Sequence, residues 1–523
     1  MTTSPVAPER VHVYDTTMRD GAQQEGLRLS VADKLRIAGL LDELGVSHVE
    51  GGWPGANPND TAFFAAAAEQ LHLRNAQLVA FGATRKAGVR AADDPQVAAL
   101  RDAQTDVICL VAKAHDVHVE RALRTSLDEN LDMVRDTVSH LVSEGKSVFV
   151  DCEHFFDGFK GNRNYALEVV RVAAEAGAEV VVLCDTNGGM LPNGMGDIVS
   201  AASAIGVDLG IHCHNDTGCA VANSMAALEA GVMHVQGTIN GYGERTGNAD
   251  LTTVVANLQL KYGWDVLGGR GLESLTRISH TIADIANQAP QHRQPYVGRS
   301  SFAHKAGLHA SAIRVDPNLY QHIDPALVGN NMRMLISDMA GRANVLIKAE
   351  ELGIEVADRD AASRVANRIK QREAAGYSYE AADASFGLLL TDEMGTLEKP
   401  FEVDTWTVST THDASGEGDS LATIRMGEKS FEGRGNGALN ALDAALRGAL
   451  LPQHPAIEHY DLVDYRVRII DQEHGTDSVV QVLIDTVNED ETWTTVGVGT
   501  NVVEASWEAL SDAYLSGLVK HYA

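Results

Sequence analysis

The first half of the sequence predicts an α/β fold, a (β/α)₈ barrel of the TIM type, and two observations support this prediction. A unit of short apolar strand, polar loop, amphipathic helix and closing glycine recurs eight times within about 255 residues. The strand cores, such as VVVLC, are continuously apolar, as expected for parallel strands that are buried on both faces. A doubly wound open sheet is the alternative, but its usual G-x-G-x-x-G motif does not follow the first strand.

The strands and helices follow one another in a regular order along this half. The first helix shows the pattern, because Ser30 suits its N-cap and Gly45 suits a left-handed C′ position. Its apolar face is formed by Ile37, Leu40, Leu41 and Leu44. The eight strands are expected to begin near Val11, Val46, Gln77, Asp106, Ser147, Glu179, Asp208 and His234.

The second half has a different pattern. Residues 1–265 are predicted to form the barrel, 266–395 a helical linker region of small subdomains, and 396–523 an α+β regulatory domain with alternating strands. This last domain contains an internal repeat, in which GRGNGALNALDAAL from Gly433 aligns with GVGTNVVEASWEAL from Gly497. Each copy is read as a strand end, a glycine turn and a helix. The glycines are expected to let backbone groups approach a ligand.

Composition limits the partners. The chain has 523 residues, with 42 Lys and Arg against 72 Asp and Glu, so its formal net charge is −30. This excess of acid disfavours nucleic acid and anionic membrane surfaces as partners. The N-terminal residues lack the basic and apolar regions of a signal peptide, and no apolar run approaches the roughly 18 residues of a membrane span. Five cysteines without a C-x-x-C pair indicate reduced thiols, so a cytoplasmic protein is expected.

A candidate metal site follows from the rule that barrel active sites lie at the C-terminal ends of the strands. His212 and His214 are two residues apart on strand seven and therefore project to the same face. Asp20 follows strand one and Asn248 follows strand eight. A carboxylate and two imidazoles form a three-ligand divalent metal site with open positions, and the amide oxygen of Asn248 either completes or braces this shell. Two unrelated histidines are the alternative, and Mg²⁺, Mn²⁺ and Zn²⁺ all stay possible.

Arg19 lies directly beside this predicted metal ligand. A cation next to a guanidinium favours an anionic, chelating substrate such as a 2-oxo acid, whose carbonyl the metal polarises. Arg19 is then expected to stabilise the oxygen on which negative charge develops. The alternative is a solvated pair of surface charges.

Three separated motifs, DTTMRDGAQQ, HCHND and GYGERTGN, together resemble the acetyl-CoA-dependent 2-oxo-acid condensing enzymes of the DRE-TIM metallolyase superfamily. This family includes the 2-isopropylmalate, homocitrate and citramalate synthases. The segment EGGWPGANPND and the first strand with its helix resemble the (R)-citramalate branch most. The resemblance continues through SSFAHKAGLHASAI and YQHIDPALVGN and covers almost the whole chain. It implies condensation of acetyl-CoA with pyruvate, and the 2-isopropylmalate and homocitrate syntheses are the nearest alternatives.

The resemblance also implies roles for individual residues. It places Asp20, His212, His214 and Asn248 on the metal positions and Arg19 on the substrate-activating arginine. It further assigns catalysis to Glu153, substrate binding to Thr186, and catalytic help to His309 and Tyr320 from the partner of a homodimer. Without the resemblance, Glu153 is read as a rim carboxylate paired to a lysine, His309 as a helix cap and Tyr320 as a packing aromatic. The base is left open between Glu153 and His309.

The loop after strand eight departs from the pattern of related lyases. Related lyases carry a cysteine in the loop after strand eight, whereas Gly241 to Asn248 contains none, which favours synthesis over cleavage. Cys152 and Cys213 are read as buried packing thiols. The C-terminal domain of the family binds the amino-acid end product of its pathway, which implies isoleucine as the effector here. A non-catalytic amino-acid sensor is the alternative from a different functional class.

Overall fold

The computed structural model describes residues 11–356, 359–412, 418–470, 478–489 and 491–522. The chain divides into two compact units. The first comprises Met1–Phe302 with Ile323–Asn331, and the second comprises Ala303–His322 with Met332–Ala523. The three-part division at residues 265 and 395 stays a prediction.

The first unit contains a closed barrel of eight parallel strands, in which β8 pairs back onto β1. Each strand begins at the predicted residue or within two residues of it, so the predicted TIM barrel is confirmed. The strands are β1 His12–Asp15, β2 His48–Gly52, β3 Gln77–Ala83, β4 Val107–Lys113, β5 Ser147–Glu153, β6 Val180–Asp185, β7 Asp208–Cys213 and β8 His234–Gly237.

Helices surround this barrel. Ser30 and Asp33 form the capping box of the first helix, because the Ser30 hydroxyl accepts from the Asp33 amide and the Asp33 carboxylate accepts from the Ser30 amide. Gly45 ends this helix at φ 96°, as predicted. The helices of the unit are α1 Val31–Leu44, α2 Pro58–Gln70, α3 Pro95–Arg101, α4 Asp116–His118, α5 Leu127–Ser143, α6 Phe155–Gly161, α7 Arg163–Glu175, α8 Met195–Ser203, α9 Ala220–Glu229, α10 Leu251–Asn257 and α11 Leu275–Ile285.

Two apolar layers stabilise the barrel. One fills the space between strands and helices, and the other fills the barrel interior with residues that include Tyr14, Phe81, Cys109 and Phe149. Each fully buried aliphatic or aromatic side chain contributes roughly 1.5–3 kcal/mol. The barrel interior also holds buried polar residues, among them Glu50, Asp151 and Gln236.

The second unit begins with short strands and helices and continues into antiparallel sheets. The first part packs a core from α13, α14 and α15, with Val345, Ile369 and Phe386 fully buried, and Val496 of the later sheet joins this core. The elements of the unit are β9 Ala303–His304, α12 Gly307–Ile313, β10 Arg333–Met334, α13 Arg342–Glu351, α14 Arg359–Ala374, α15 Asp383–Glu393, β11 Thr405–His412, β12 Gly418–Met426, β13 Lys429–Gly435, α16 Ala438–Leu450, β14 Asp461–Ile469, β15 Val480–Val487, β16 Thr492–Gly499 and α17 Val502–Tyr522.

The predicted internal repeat is confirmed. Two three-stranded antiparallel sheets, β11-β12-β13 and β14-β15-β16, are each followed by one helix. A Cβ on Gly433 would lie 2.2 Å from the Ala445 nitrogen, and a Cβ on Gly497 would lie 2.7 Å from the equivalent Ala509 nitrogen. These two glycines therefore allow the last strand of each sheet to approach its own helix.

The remaining sequence expectations concern membranes and thiols. Among the residues that the structure describes, no helix has both the length and the apolarity that a bilayer crossing requires. All five cysteines are free thiols. Cys152 and Cys213 are fully buried in the core, as predicted, and burial raises the pKa of both thiols.

Candidate active site

The loops after β7 and β8 are joined by backbone contacts that place two predicted ligands side by side. His214 and Asn248 form an isolated antiparallel bridge. The Ala249 amide donates to the Cys213 carbonyl over 2.9 Å on one side of this bridge. Gly247 makes the turn possible, because its φ is 90° and a Cβ there would lie 1.9 Å from the Gly241 carbonyl oxygen.

Asp20, His212 and His214 converge at the rim of the barrel. One ligand atom of each lies within 4.8 Å of the other two, and all three residues are buried. The Asp20 Oδ2 atom is 3.4 Å from Nε2 of His212 and 3.8 Å from Nε2 of His214. Asn248 donates from Nδ2 to Asp20 Oδ1 over 3.3 Å, and its own Oδ1 is buried without a hydrogen-bond partner.

The electrostatics of this cluster centre on Asp20. Burial alone would raise the pKa of Asp20, but the Arg19 guanidinium and His212 hold it well below its usual range. Burial would lower the pKa of His212, but the Asp20 carboxylate outweighs burial and raises this pKa to about 9. Burial, followed by repulsion from His212, lowers the pKa of His214 to about 4. Asp20 is therefore ionised, as a metal ligand requires.

The donor set fits a divalent cation. Gln236 faces Nδ1 of His212 with its Oε1 atom at 2.7 Å, so Nδ1 donates and Nε2 is directed to Asp20. A cation at Nε2 would displace the proton that Asp20 stabilises on His212. The unpartnered Oδ1 of Asn248 adds a neutral oxygen donor. One carboxylate, two imidazoles and one amide oxygen suit Zn²⁺, Mn²⁺ or Mg²⁺.

Arg19 is fixed on three sides and is not a solvated surface residue. Its Nε donates to Glu50 Oε2 over 2.6 Å, and its NH1 lies 3.2 Å from Asp20 Oδ2. The guanidinium stacks 3.8 Å from the centre of the Phe81 ring. The side chain is 12% exposed. Burial would lower the pKa of Arg19, but Glu50 and Asp20 outweigh burial and raise it.

Glu50 is a site residue to which the sequence analysis assigned no role. It is fully buried, and it accepts hydrogen bonds from the Tyr14 hydroxyl over 2.6 Å, from the Thr16 hydroxyl and from Arg19. The available signal was a carboxylate within the buried strand HVEGG, two residues after His48 and therefore on the same face. A buried, fully bonded carboxylate next to Arg19 serves to orient the guanidinium.

Thr186 and Glu153 lie at neighbouring strand ends. The Thr186 hydroxyl accepts from the His154 amide over 2.8 Å, so its own proton is available for a bond to another acceptor. Glu153 forms an ion pair with Lys113 through its Oε2 atom. This contact agrees with the alternative interpretation of Glu153 as a rim carboxylate paired to a lysine. Arg245 donates to the Thr186 carbonyl over 2.8 Å and ties the loop after β8 to the loop after β6.

These side chains face one cavity of about 300 Å³, whose lining includes Arg19, Asp20, Glu153, Thr186, His212 and His214. A second cavity of about 490 Å³ shares Trp53, Val111 and Glu153 with the first. The two spaces are therefore adjacent. Glu153 lines both cavities.

His309 and Tyr320 belong to the second unit, where the structure brings them together. Their rings stack with centroids 4.1 Å apart and an angle of 30° between planes. His309 lies inside α12, whose N-cap is Ala306, so the reading of His309 as a helix cap is wrong. Tyr320 is 40% exposed and is not a core aromatic. The catalytic roles of both residues stay predictions.

Comparison with known families divides the chain into three parts. Residues 10–282 match the HMGL-like family. Residues 296–376 match the homocitrate synthase post-HMGL domain-like family. Residues 380–517 match the LeuA allosteric (dimerisation) domain.

Curated relatives resemble the chain over nearly its whole length. An (R)-citramalate synthase from Streptomyces coelicolor is 58% identical, with 99% of each chain covered. This chain belongs to the (R)-citramalate synthase family. Another (R)-citramalate synthase, from Aquifex aeolicus, is 45% identical over 98% of each chain. A probable 2-isopropylmalate synthase from Methanopyrus kandleri is 31% identical over 96% of this chain and 97% of its own. The predicted branch of the superfamily is therefore confirmed as that of the (R)-citramalate synthases.

Proposed function

We propose that this enzyme is an acyltransferase that condenses acetyl-CoA with pyruvate and water to give (R)-citramalate and CoA. The product would enter isoleucine biosynthesis through 2-oxobutyrate. The observation that supports the proposal most is the convergence of Arg19 with Asp20, His212 and His214 on one cavity. A guanidinium beside a cation-binding cluster is the arrangement that a small 2-oxo acid requires.

The cation site consists of Asp20, His212, His214 and Asn248. A divalent cation, whether Mg²⁺, Mn²⁺ or Zn²⁺, would supply Lewis-acid polarisation of the 2-oxo acid carbonyl when bound there. Gln236 holds His212 in the tautomer that presents Nε2. The backbone bridge between His214 and Asn248 keeps these two donors together.

Arg19 and Thr186 bind the acceptor substrate in this proposal. As the new carbon–carbon bond forms, the ketone oxygen of pyruvate gains negative charge, and Arg19 stabilises it. Glu50 and Phe81 hold the guanidinium in place, so little reorganisation accompanies the step. The Thr186 hydroxyl accepts from the His154 amide, which leaves its own proton available to donate to the pyruvate carboxylate.

A base removes a methyl proton from the acetyl thioester, and the resulting carbanion attacks the ketone carbon of pyruvate, whose oxygen takes up a proton to become the hydroxyl of the thioester intermediate. Water then adds to the thioester carbonyl, and the CoA thiolate leaves and takes up a proton. Glu153 is one candidate base because it lines both cavities. His309, supported by Tyr320 from the partner subunit of a dimer, is the other.

We further propose that the C-terminal domain forms a homodimer and binds isoleucine. The match to the LeuA allosteric (dimerisation) domain supports a dimer and an allosteric ligand, and isoleucine is the end product that the proposed reaction leads to. Strand β14 is exposed along its length and carries apolar residues suited to an interface, namely Leu462, Val463, Val467 and Ile469. A cytoplasmic location remains part of the same proposal.

Isoleucine binding is best tested on the unaltered protein. A Cβ on Gly435 would lie 2.7 Å from the Ala441 nitrogen, so its substitution disturbs packing whatever the domain binds. Calorimetry with isoleucine and with leucine should give a stronger heat of binding for isoleucine. Inhibition should correspond to a coupling of about 1–3 kcal/mol. If neither amino acid binds to the active enzyme, the domain serves for dimerisation and not for amino-acid binding.

The choice of acceptor is tested by CoA release with pyruvate, 2-oxoisovalerate and 2-oxoglutarate. We expect the highest kcat/KM with pyruvate, and Asp20→Ala should abolish release with every acceptor. A preference for 2-oxoisovalerate would reassign the enzyme to 2-isopropylmalate synthesis, and a preference for 2-oxoglutarate to homocitrate synthesis. Release with none of them, from a folded sample supplied with divalent metal, would favour an amino-acid sensor.

A further inference from the structure

Three histidine rings meet inside the barrel at the end opposite the candidate active site. His12 begins β1, His48 begins β2 and His234 begins β8, and these three strands are neighbours. His12 and His234 are direct partners in the pairing of β1 with β8. The ring centroids are 5.5 Å apart for His12 and His48, 5.9 Å for His48 and His234, and 6.4 Å for His12 and His234.

The nitrogen atoms of these rings are close enough to share a metal ion. One ring nitrogen from each histidine lies within 4.8 Å of the other two. A zinc ion bound to nitrogen at about 2.0–2.1 Å in tetrahedral geometry holds its ligand atoms about 3.4 Å apart. The ring nitrogens would therefore have to move closer by at most about 1.4 Å to reach this spacing.

Burial and surroundings favour a metal over simple packing. His48 and His234 are 6% and 1% exposed, while His12 is half-buried and leaves one side accessible. Nδ1 of His234 is buried without a hydrogen-bond partner, a costly state for a polar atom. Burial, followed by the neighbouring imidazoles, lowers the pKa of His234 well below its usual value, so this ring is neutral. Neutral imidazole is the form that binds metals.

Aromatic rings complete the shell around the cluster. The Tyr14 ring lies 5.1 Å from His234, and the Phe149 ring lies 5.1 Å from His48 and 5.3 Å from His234. These rings limit the access of water to the side of the cluster that faces the barrel interior.

We propose that His12, His48 and His234 form a second metal site, which takes a transition-metal cation of the Zn²⁺ class. Three imidazoles suit Zn²⁺, Co²⁺, Ni²⁺ or Cu²⁺, whereas Mg²⁺ and Ca²⁺ require oxygen ligands. The site joins β1, β2 and β8 across the seam where the first and last strands close the barrel. Its role is to stabilise that closure, so it is independent of the function proposed for the opposite rim.

The test compares metal content among full-length variants that are stripped of metal and then dialysed against Zn²⁺. His12→Gln changes the most exposed ligand, and His48→Asn is a second variant in case the first fails to fold. We avoid His234, because Gln236 lies 3.4 Å from its Nε2 and also contacts His212. His72→Gln is the matched control, because His72 is an exposed histidine of the same unit.

We expect His12→Gln and His48→Asn to bind one Zn²⁺ per chain fewer than the wild-type protein, and His72→Gln to bind the same number. In a His214→Ala background, which disables the candidate active-site cluster, Co²⁺ should still give the visible bands of a tetrahedral site. Zn²⁺ should also still raise the thermal midpoint of this variant. Both signals should disappear in His12→Gln/His214→Ala. Equal Zn²⁺ content in wild type, His12→Gln and His48→Asn would overturn the proposal, whatever the active site binds.

Discussion

Replacing Glu50 with Gln separates the orientation of Arg19 from the binding of metal. Glu50 does not belong to the candidate ligand set, yet it accepts the Nε–H of Arg19 over 2.6 Å inside the barrel. A glutamine keeps the volume and still accepts from the Tyr14 hydroxyl. Its amide lacks the charge, however, and it has only one oxygen for the three donors that the carboxylate serves.

The expected magnitude follows from these contacts. A hydrogen bond to a charged group contributes about 1.5–3 kcal/mol, and each 1.36 kcal/mol corresponds to a tenfold change in rate. We therefore expect kcat/KM for pyruvate to fall about 10- to 150-fold in Glu50→Gln. Removing one partner of a buried ion pair also costs about 3–5 kcal/mol of folding stability, so the thermal midpoint should fall.

The assay is CoA release, measured well below the thermal midpoint, together with metal content by elemental analysis. Asp42→Asn is the matched control, because Asp42 is a buried carboxylate that accepts from the Asn75 and Ala76 amides just before β3, at the opposite end of the barrel. It should lose stability and keep its kcat/KM. The reasoning fails if Glu50→Gln turns over within threefold of wild type, or if the control loses as much activity as Glu50→Gln.

Three more predictions follow from the same geometry. Arg19→Lys keeps the charge but loses the planar fork, so kcat should fall by orders of magnitude at unchanged metal content; a near-normal kcat would exclude Arg19 from the chemistry. His214→Ala should lose metal and activity while staying folded. Chelation should inactivate the wild-type protein, and added divalent metal should restore its activity. Full activity after exhaustive chelation would refute the cation site. Burial raises the pKa of Asp15 to about 7, against about 3.9 in an unfolded chain. The stability that the protonated Asp15 carboxyl contributes is therefore fully present below about pH 4 and is lost as the pH rises through about 7. Melting curves should show that the free energy of unfolding of Asp15→Asn rises relative to that of the wild type between pH 5 and pH 8, by at most about 3 kcal/mol, and an equal difference at both pH values would contradict this.

The parts that were predictable are those that depend on local pattern. Apolar runs between glycines located the strands, because a strand buried on both faces has no polar alternation to obscure it. The spacing of His212 and His214 set both side chains on one face, and the strand-end rule added Asp20.

The parts that were missed depend on how neighbouring strands pair. Glu50 bonds Tyr14 and Thr16 through a register in which Tyr14 faces His48, and no local pattern specifies that register. The cluster of His12, His48 and His234 likewise exists only once β8 closes onto β1. The sequence correctly placed the repeat glycines at strand ends that precede a helix. It could not show whether a glycine such as Gly433 allows close approach of a ligand or of that helix, because this depends on where the helix packs.

The adjacency of Arg19 and Asp20 couples the two halves of the candidate site. Asp20 is the common neighbour of Arg19, His212, His214 and Asn248, so its carboxylate serves the guanidinium and the cation-binding cluster together. Removing Asp20 would leave Arg19 with one carboxylate partner instead of two and would disturb both functions at once. Glu50 bonds the Arg19 side chain directly through Nε and reaches Asp20 only at its backbone amide, through the Thr16 hydroxyl. If Glu50→Gln loses activity but keeps its metal, Arg19 is the residue that stabilises the developing negative charge. No substitution of a metal ligand could establish this role, because it would remove the metal as well.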